Sequence, residues 1–211
     1  MRPERQIRSF GRREGRITPA QREALTELWT RYGIEDNNTL LDCALLFGPG
    51  KQLTVEIGFG DGQCLRQLAK ANQDKAFIGI ESHRPGAGRL LMSLQEDALT
   101  NVKVLIDDAV DILTTRIASQ SVNEFLIFFP DPWPKKRHHK RRLVNTDFRS
   151  SLERCLKPNG LIHIATDWDD YAQVIVDLIS AESRLHNLSE QGSSPRPASR
   201  PETKYERRGV R

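Results

Sequence analysis

Residues 53–72, LTVEIGFGDGQCLRQLAKAN, run from a five-residue apolar stretch through glycines at 58, 60 and 62 into an amphipathic segment. A strand, a glycine turn and a helix in this order open a nucleotide-binding α/β unit, because a Cβ in the turn would collide with a ligand approaching the backbone. The same alternation continues downstream. AFIGI (76–80), VKVLI (102–106), EFLIFF (124–129) and LIHIA (161–165) read as four further strands. Helical stretches lie near 64–72, 86–98, 109–118, 145–157 and 169–183. Strands apolar on both faces and separated by helices predict a parallel sheet covered on both sides. The expected fold class is therefore α/β, a doubly wound Rossmann-like sheet with its ligand beyond the carboxyl ends of the strands.

Upstream, ITPAQREALTELWTRYG predicts a helix with Thr18 as N-cap and Pro19 at its first position. Leu25, Leu28, Trp29 and Tyr32 recur at helical spacing, and Trp29 is expected in the core. Beyond residue 191, GSSPRPASRPETKYERRGVR carries prolines and serines without periodicity and predicts an extended loop. The expected organisation is a basic arm (1–16), one α/β domain (17–192) and a basic C-terminal segment (193–211).

A chain of 211 residues, 37% of them hydrophobic, suffices for one domain with a real core. No apolar run is long enough to span a bilayer, and MRPERQIRSFGRREGR lacks the apolar segment of a signal peptide, so a soluble cytoplasmic protein is expected. Cys43, Cys64 and Cys155 are widely spaced and predict neither a disulfide framework nor a zinc site.

The net charge of +4 conceals a polarised distribution. Residues 1–16, 135–142 and 193–211 each carry six Lys/Arg, against two, none and two acidic residues, which leaves −10 for everything else. Three basic segments around an acidic body predict a polyanion-binding surface if they converge in space.

The spacing at the glycine turn is GxGxG, with Gln63 where a dinucleotide-binding GxGxxG would continue. The second strand ends in Glu81, nineteen residues past Gly62, placed to accept hydrogen bonds from ribose hydroxyls. Asp108 follows the third strand and could accept from an adenine amino group, and Glu56 adds a carboxylate beside the turn. Clustered acids suit a cationic ligand better than a pyrophosphate. S-adenosylmethionine, which bears a sulfonium and an ammonium, is the expected cofactor in preference to NAD.

The fourth strand runs into FFPDPWPKKRHHKRR (128–142). Its prolines stiffen the turn that carries Asp131, and Trp133 is a candidate base-stacking residue. Asp167, in ATDW (165–168), occupies the corresponding position after the fifth strand, so two carboxylates from adjacent strand ends are expected to flank one site. His138 and His139 have no neighbouring ligand partners, and no metal is expected.

Taken together, RSFGRREGRIT (8–18), EIGFGDG (56–62), GIE (79–81), DAV (108–110), FFPDPWPKKRHHKRR (128–142), ATDW (165–168) and PRPASRPETKYERRG (195–209) resemble the bacterial tRNA (guanine-N7)-methyltransferase family over nearly the whole chain. The resemblance implies a class I methyltransferase fold and transfer of a methyl group from S-adenosylmethionine to a guanine of the tRNA variable loop. It implies cofactor contacts at Glu56, Glu81, Asp108 and Asp131, beside Gly58, Gly60 and Gly62. Substrate contacts are implied at Lys135, Asp167, Thr203, Lys204, Tyr205 and Glu206. The family usually continues past RRG into a strand that completes the sheet, whereas this sequence stops at Arg211, so an open sheet edge is expected. A monomer or homodimer is compatible with the sequence.

Guanine N7 already has an in-plane lone pair, so no proton must leave before attack on the methyl group. The site needs positioning and carboxylates that stabilise positive charge on the guanine, and Asp131 is the expected catalytic residue. The Lys135–Arg142 run would hold phosphates while one base is presented. The alternative is a noncatalytic RNA-binding protein that keeps the fold.

Overall fold

A computed structural model of the chain describes residues 15–35, 37, 39–181, 184–203 and 206–207. The sheet comprises β1 (Leu53–Ile57), β2 (Ala76–Ile80), β3 (Val102–Leu105), β4 (Val122–Phe128) and β5 (Leu156–Ala165). All pairings are parallel, in the order β3-β2-β1-β4-β5. The chain starts in the middle and winds outward in both directions, so a crevice opens where the order reverses between β1 and β4. Among the described residues β5 pairs only with β4 and forms one sheet edge.

Alternation along the strands divides the interior in two. Val55, Ile78, Leu105, Phe125 and Ile127 face one side and pack with residues of α6 (Ala109–Thr115), α7 (Thr146–Cys155) and α8 (Asp169–Ser180). Phe77, Val102 and Val104 face the other side. There they meet α4 (Gln63–Ala71) and α5 (Arg84–Glu96), with α1 (Pro19–Glu27) and α2 (Trp29–Tyr32) outside them. A short α3 (Cys43–Phe47) precedes the sheet. The doubly wound α/β class is thus realised.

The boundaries differ from the periodicity in instructive places. Thr18 caps α1 as expected, and Gln21 closes a reciprocal capping box: Gln21 N donates to Thr18 Oγ1 at 3.3 Å and Thr18 N to Gln21 Oε1 at 2.9 Å. In α1 the buried residues are Gln21 and Ala24, while Trp29 is only partly buried. A Cβ on Gly88 would lie 2.8 Å from the Gln21 carbonyl oxygen, so α1 meets α5 through small groups, whereas the Trp29 indole lies against Gly33, where a Cβ would be 2.2 Å from the ring, and packs onto the core from its rim. In β5, Leu156 pairs with Val122 but Leu161 pairs with Glu124, and the intervening bulge, with Asn159 at φ +60°, separates the strand into two parts. No helix among the described residues is long and apolar enough to cross a membrane.

Candidate active site

Parallel register brings the ends of β1, β2 and β3 level: Ile57 stands beside Ile80, and Ile80 beside Leu105. The turn after β1 has Gly58, Gly60 and Gly62 at φ +73°, +61° and +75°, a region other residues enter only with strain. A Cβ on Gly58 or Gly60 would meet nothing within 4 Å, so the turn borders open space where a ligand could approach the backbone. Gly86, in the first turn of α5, has the opposite constraint: a Cβ there would lie 2.0 Å from the Gly60 carbonyl oxygen. The sequence reading passed over Gly86. Its signal was a glycine in the first turn of a predicted helix, where only close packing accounts for the choice.

Glu81 buttresses this turn. Its Oε2 accepts from Gly60 N at 2.9 Å and its Oε1 from His83 N at 2.9 Å, tying the end of β2 to the glycine turn. Glu56 is 3% exposed, and its Oε2 has no hydrogen-bond partner among the described residues. Burial, reinforced by the negative charges of Glu81 and Asp61, pushes its pKa up to about 8. A buried carboxyl oxygen left without a partner next to the glycine turn is a group that a cationic donor would satisfy, so the residues present fit a ligand bearing an ammonium group. Asp61 is a third acid in the cluster that the sequence reading did not single out. Asp108 caps α6, accepting from Val110 N at 3.0 Å, and stands at the end of β3 as expected.

On the other side of the reversal point, Phe128 pairs with Ala165 and Phe129 N donates to Ala165 O at 2.7 Å. This contact places the Asp131 turn beside the loop carrying Asp167, and both aspartates are exposed. Partial desolvation in its turn nevertheless raises the Asp131 pKa above the ordinary aspartate value. Phe129 (φ +53°) and Trp133 (φ +44°) bracket Pro130–Pro132 in the left-handed region, a strained backbone that persists only where its surroundings enforce it.

The basic run forms a 3-10 helix, Lys136–Arg141. Lys135, Lys136, Arg137, Lys140 and Arg141 are exposed, consistent with a phosphate-facing surface. Arg142 corrects the expectation for the run as a whole: it is 4% exposed and points into the protein. Trp133 is also committed locally, with the Arg141 guanidinium 5.0 Å over its ring and the His138 ring edge-on at 5.8 Å. One face is therefore covered already, which weakens its candidacy for stacking on a base.

Part of the C-terminal segment is packed onto the sheet. Arg200, 5% exposed, lies with its guanidinium 4.9 Å from the Phe128 ring centroid and forms a bidentate pair with Glu206. Thr203 N and Oγ1 donate to Glu206 Oε2 at 2.8 and 3.0 Å, and Arg207 donates to Gln63 at the start of α4. Glu206 and Thr203 thus hold each other, and their visible work is to dock the segment beside the glycine turn. Lys204 and Tyr205, also expected at the substrate, lie outside the described residues. Among the described residues there is no group of three or more His, Cys, Asp or Glu that could hold a metal ion.

A family model described as "Putative methyltransferase" matches residues 50–211. The tRNA (guanine-N(7)-)-methyltransferase of Alcanivorax borkumensis is 47% identical over 206 residues, covering 97% of this chain and 86% of the relative. That of Nitrosococcus oceani is 47% identical over 205 residues, covering 97% and 86%. The crystal structure of precorrin-6y C5,15-methyltransferase from Geobacter metallireducens shares the fold at a TM-score of 0.50 and 14% identity, over 61% of each chain. With the family model matching most of the chain and these relatives nearly half identical over almost all of it, the chain belongs to the tRNA (guanine-N(7)-)-methyltransferase family.

Proposed function

We propose that this protein transfers a methyl group from S-adenosylmethionine to N7 of a guanine in the variable loop of tRNA. The observation that carries the proposal is the buried, unpartnered carboxyl oxygen Oε2 of Glu56 beside an open glycine turn, in a chain of this family. Glu56 would receive the ammonium of the cofactor, Gly58 and Gly60 would admit it to the backbone, and Glu81 and Asp108 would meet its ribose and adenine. When bound, the cofactor supplies an electrophilic methyl group carried on a sulfonium.

The chain's own residues then have two tasks. Asp131 and Asp167, presented from adjacent strand ends, accept hydrogen bonds from the guanine N1–H and exocyclic amine. Those bonds strengthen as positive charge passes from sulfur to the guanine ring, so the carboxylates favour the transition state over the ground state. The exposed cations from Lys135 to Arg141 hold the phosphate backbone, which sets the register of the RNA without reading its sequence. A guanine engaged in tertiary pairing must also turn outward to reach the site, at a cost of about a few kcal/mol. The C-terminal segment, anchored through Arg200, supplies a wall on the same side.

The test is transfer of labelled methyl from S-adenosylmethionine to an unmodified tRNA transcript, with the product mapped by scission at N7-methylguanine. Scission at a variable-loop guanine is expected. Methyl incorporation at another base would overturn the N7 assignment, and cofactor and tRNA binding without transfer would favour a noncatalytic RNA-binding role. Asp131→Asn should lower turnover by about 100-fold while leaving cofactor affinity within about 3-fold; an unchanged turnover number would remove Asp131 from the mechanism.

A further inference from the structure

Arg142 ends a run of cations, yet it is the one member of the Lys135–Arg142 run that is buried. Its Nε donates to the Pro132 carbonyl at 2.9 Å, and its Nη2 donates to Asp170 Oδ2 at 2.5 Å and lies 3.3 Å from His139 Nε2. Its guanidinium stacks 4.7 Å from the centroid of the fully buried Tyr171 ring, whose hydroxyl accepts from Val144 N at 2.9 Å. Pro132 adjoins Asp131, and Asp170 is the second residue of α8, three residues after Asp167. One planar side chain therefore ties the turn carrying Asp131 to the first turn of α8, which directly follows the loop carrying Asp167.

We infer that Arg142 is a positioning residue: it fixes the Asp131 turn against the Asp167 loop and makes no phosphate contact of its own. This rests on the roles given to Asp131 and Asp167 above. The turn needs such a brace, because Phe129 and Trp133 hold it in a strained backbone region from which an unrestrained loop would relax. An arginine is required because its fork reaches a carbonyl and a carboxylate at once while stacking on an aromatic ring; a lysine offers a point charge without the plane. Asp170 keeps its carboxylate ionised at the other end, its pKa lowered by the hydrogen bond from Arg142.

The experiment compares Arg142→Lys, Asp131→Asn and Lys136→Ala in the full chain with S-adenosylmethionine and a tRNA transcript. It measures kcat, the tRNA Kd as a function of salt, and the cofactor Kd. Arg142→Lys should lose roughly 10- to 100-fold in kcat, as expected for a misplaced reacting group, with the tRNA Kd and its salt slope unchanged. Lys136→Ala, at an exposed position, should weaken tRNA binding and make the log–log salt slope shallower by about 1. If Arg142→Lys instead shows the shallower slope and keeps its kcat, Arg142 is a phosphate ligand and the inference is wrong. If Asp131→Asn alone keeps its turnover, the assignment of Asp131 fails separately. Should Arg142→Lys not fold, Asp170→Asn removes the surface end of the brace, and it should lower kcat in the same direction without altering the salt slope. A salt-slope change there, with kcat intact, likewise overturns the inference.

Discussion

The two halves of the site are held together in different ways. At the ends of β1 to β3 the geometry comes from neighbours: glycines at positive φ, Glu81 bonded to the turn beside it, and Asp108 capping the helix it precedes. At the ends of β4 and β5 it comes from buried arginines that reach across the structure, Arg142 to α8 and Arg200 to Phe128. The first half fails when its backbone cannot pack. The second fails when a long-range tie is cut, and mutations can separate the two.

The largest effect is expected where backbone meets backbone. Gly86→Ala should destabilise the protein by at least about 3 kcal/mol, the upper range for overpacking, and abolish cofactor binding in calorimetry, since its Cβ would occupy the position of the Gly60 carbonyl. Stability and binding indistinguishable from the parent would show that the turn yields more easily than its packing implies.

Arg200→Ala cuts a tie of the second half and removes the bidentate partner of Glu206, leaving it the Thr203 hydrogen bonds. A loss of about 3 kcal/mol is expected, together with faster proteolytic cleavage between residues 193 and 207 and a cofactor site that still binds. Cleavage at the parental rate would mean that the segment is held by contacts other than Arg200.

Glu56 allows a test by pH. Its pKa in the folded protein, about 8, is above that of the unfolded chain, so the folded state binds the extra proton. Its contribution to stability is present below the unfolded carboxyl pKa and is lost as pH rises through about 8. Glu56→Gln should therefore gain on the parent by about 2 kcal/mol between pH 6 and pH 9 in thermal unfolding without cofactor. Parallel stability curves for the two proteins would show that the carboxylate is already compensated. The smallest effect belongs to Lys70→Ala, which breaks an exposed ion pair with Asp97 far from either half of the site; less than about 0.5 kcal/mol is expected in denaturant unfolding.

Most of the fold was legible because a parallel sheet buries both faces of each strand, so β1 to β3 fall on their apolar runs to within a residue. The β5 bulge was not legible, since the ladder passes from Leu156 opposite Val122 to Leu161 opposite Glu124 and leaves Lys157–Gly160 unpaired, a register that β4 sets across the sheet. The acids at the strand ends were equally plain, because strand, turn and helix are contiguous in the chain and the turn geometry is local.

The sequence by itself determined the sheet, the glycine turn and the family, all of which depend on order and spacing along the chain. It could not divide the cations. Arg116, Arg142 and Arg200 count toward the basic character of the chain, yet all three are buried, and their hydrogen bonds go to other parts of the fold. Charge is a property of a residue, but whether it faces an RNA or braces a loop depends on which carbonyls and carboxylates lie within about 3 Å of it. For Arg116 and Arg142 those partners lie far along the chain, and although Glu206 is near Arg200 in sequence, the Phe128 ring beneath its guanidinium is not, so only folding brings them together.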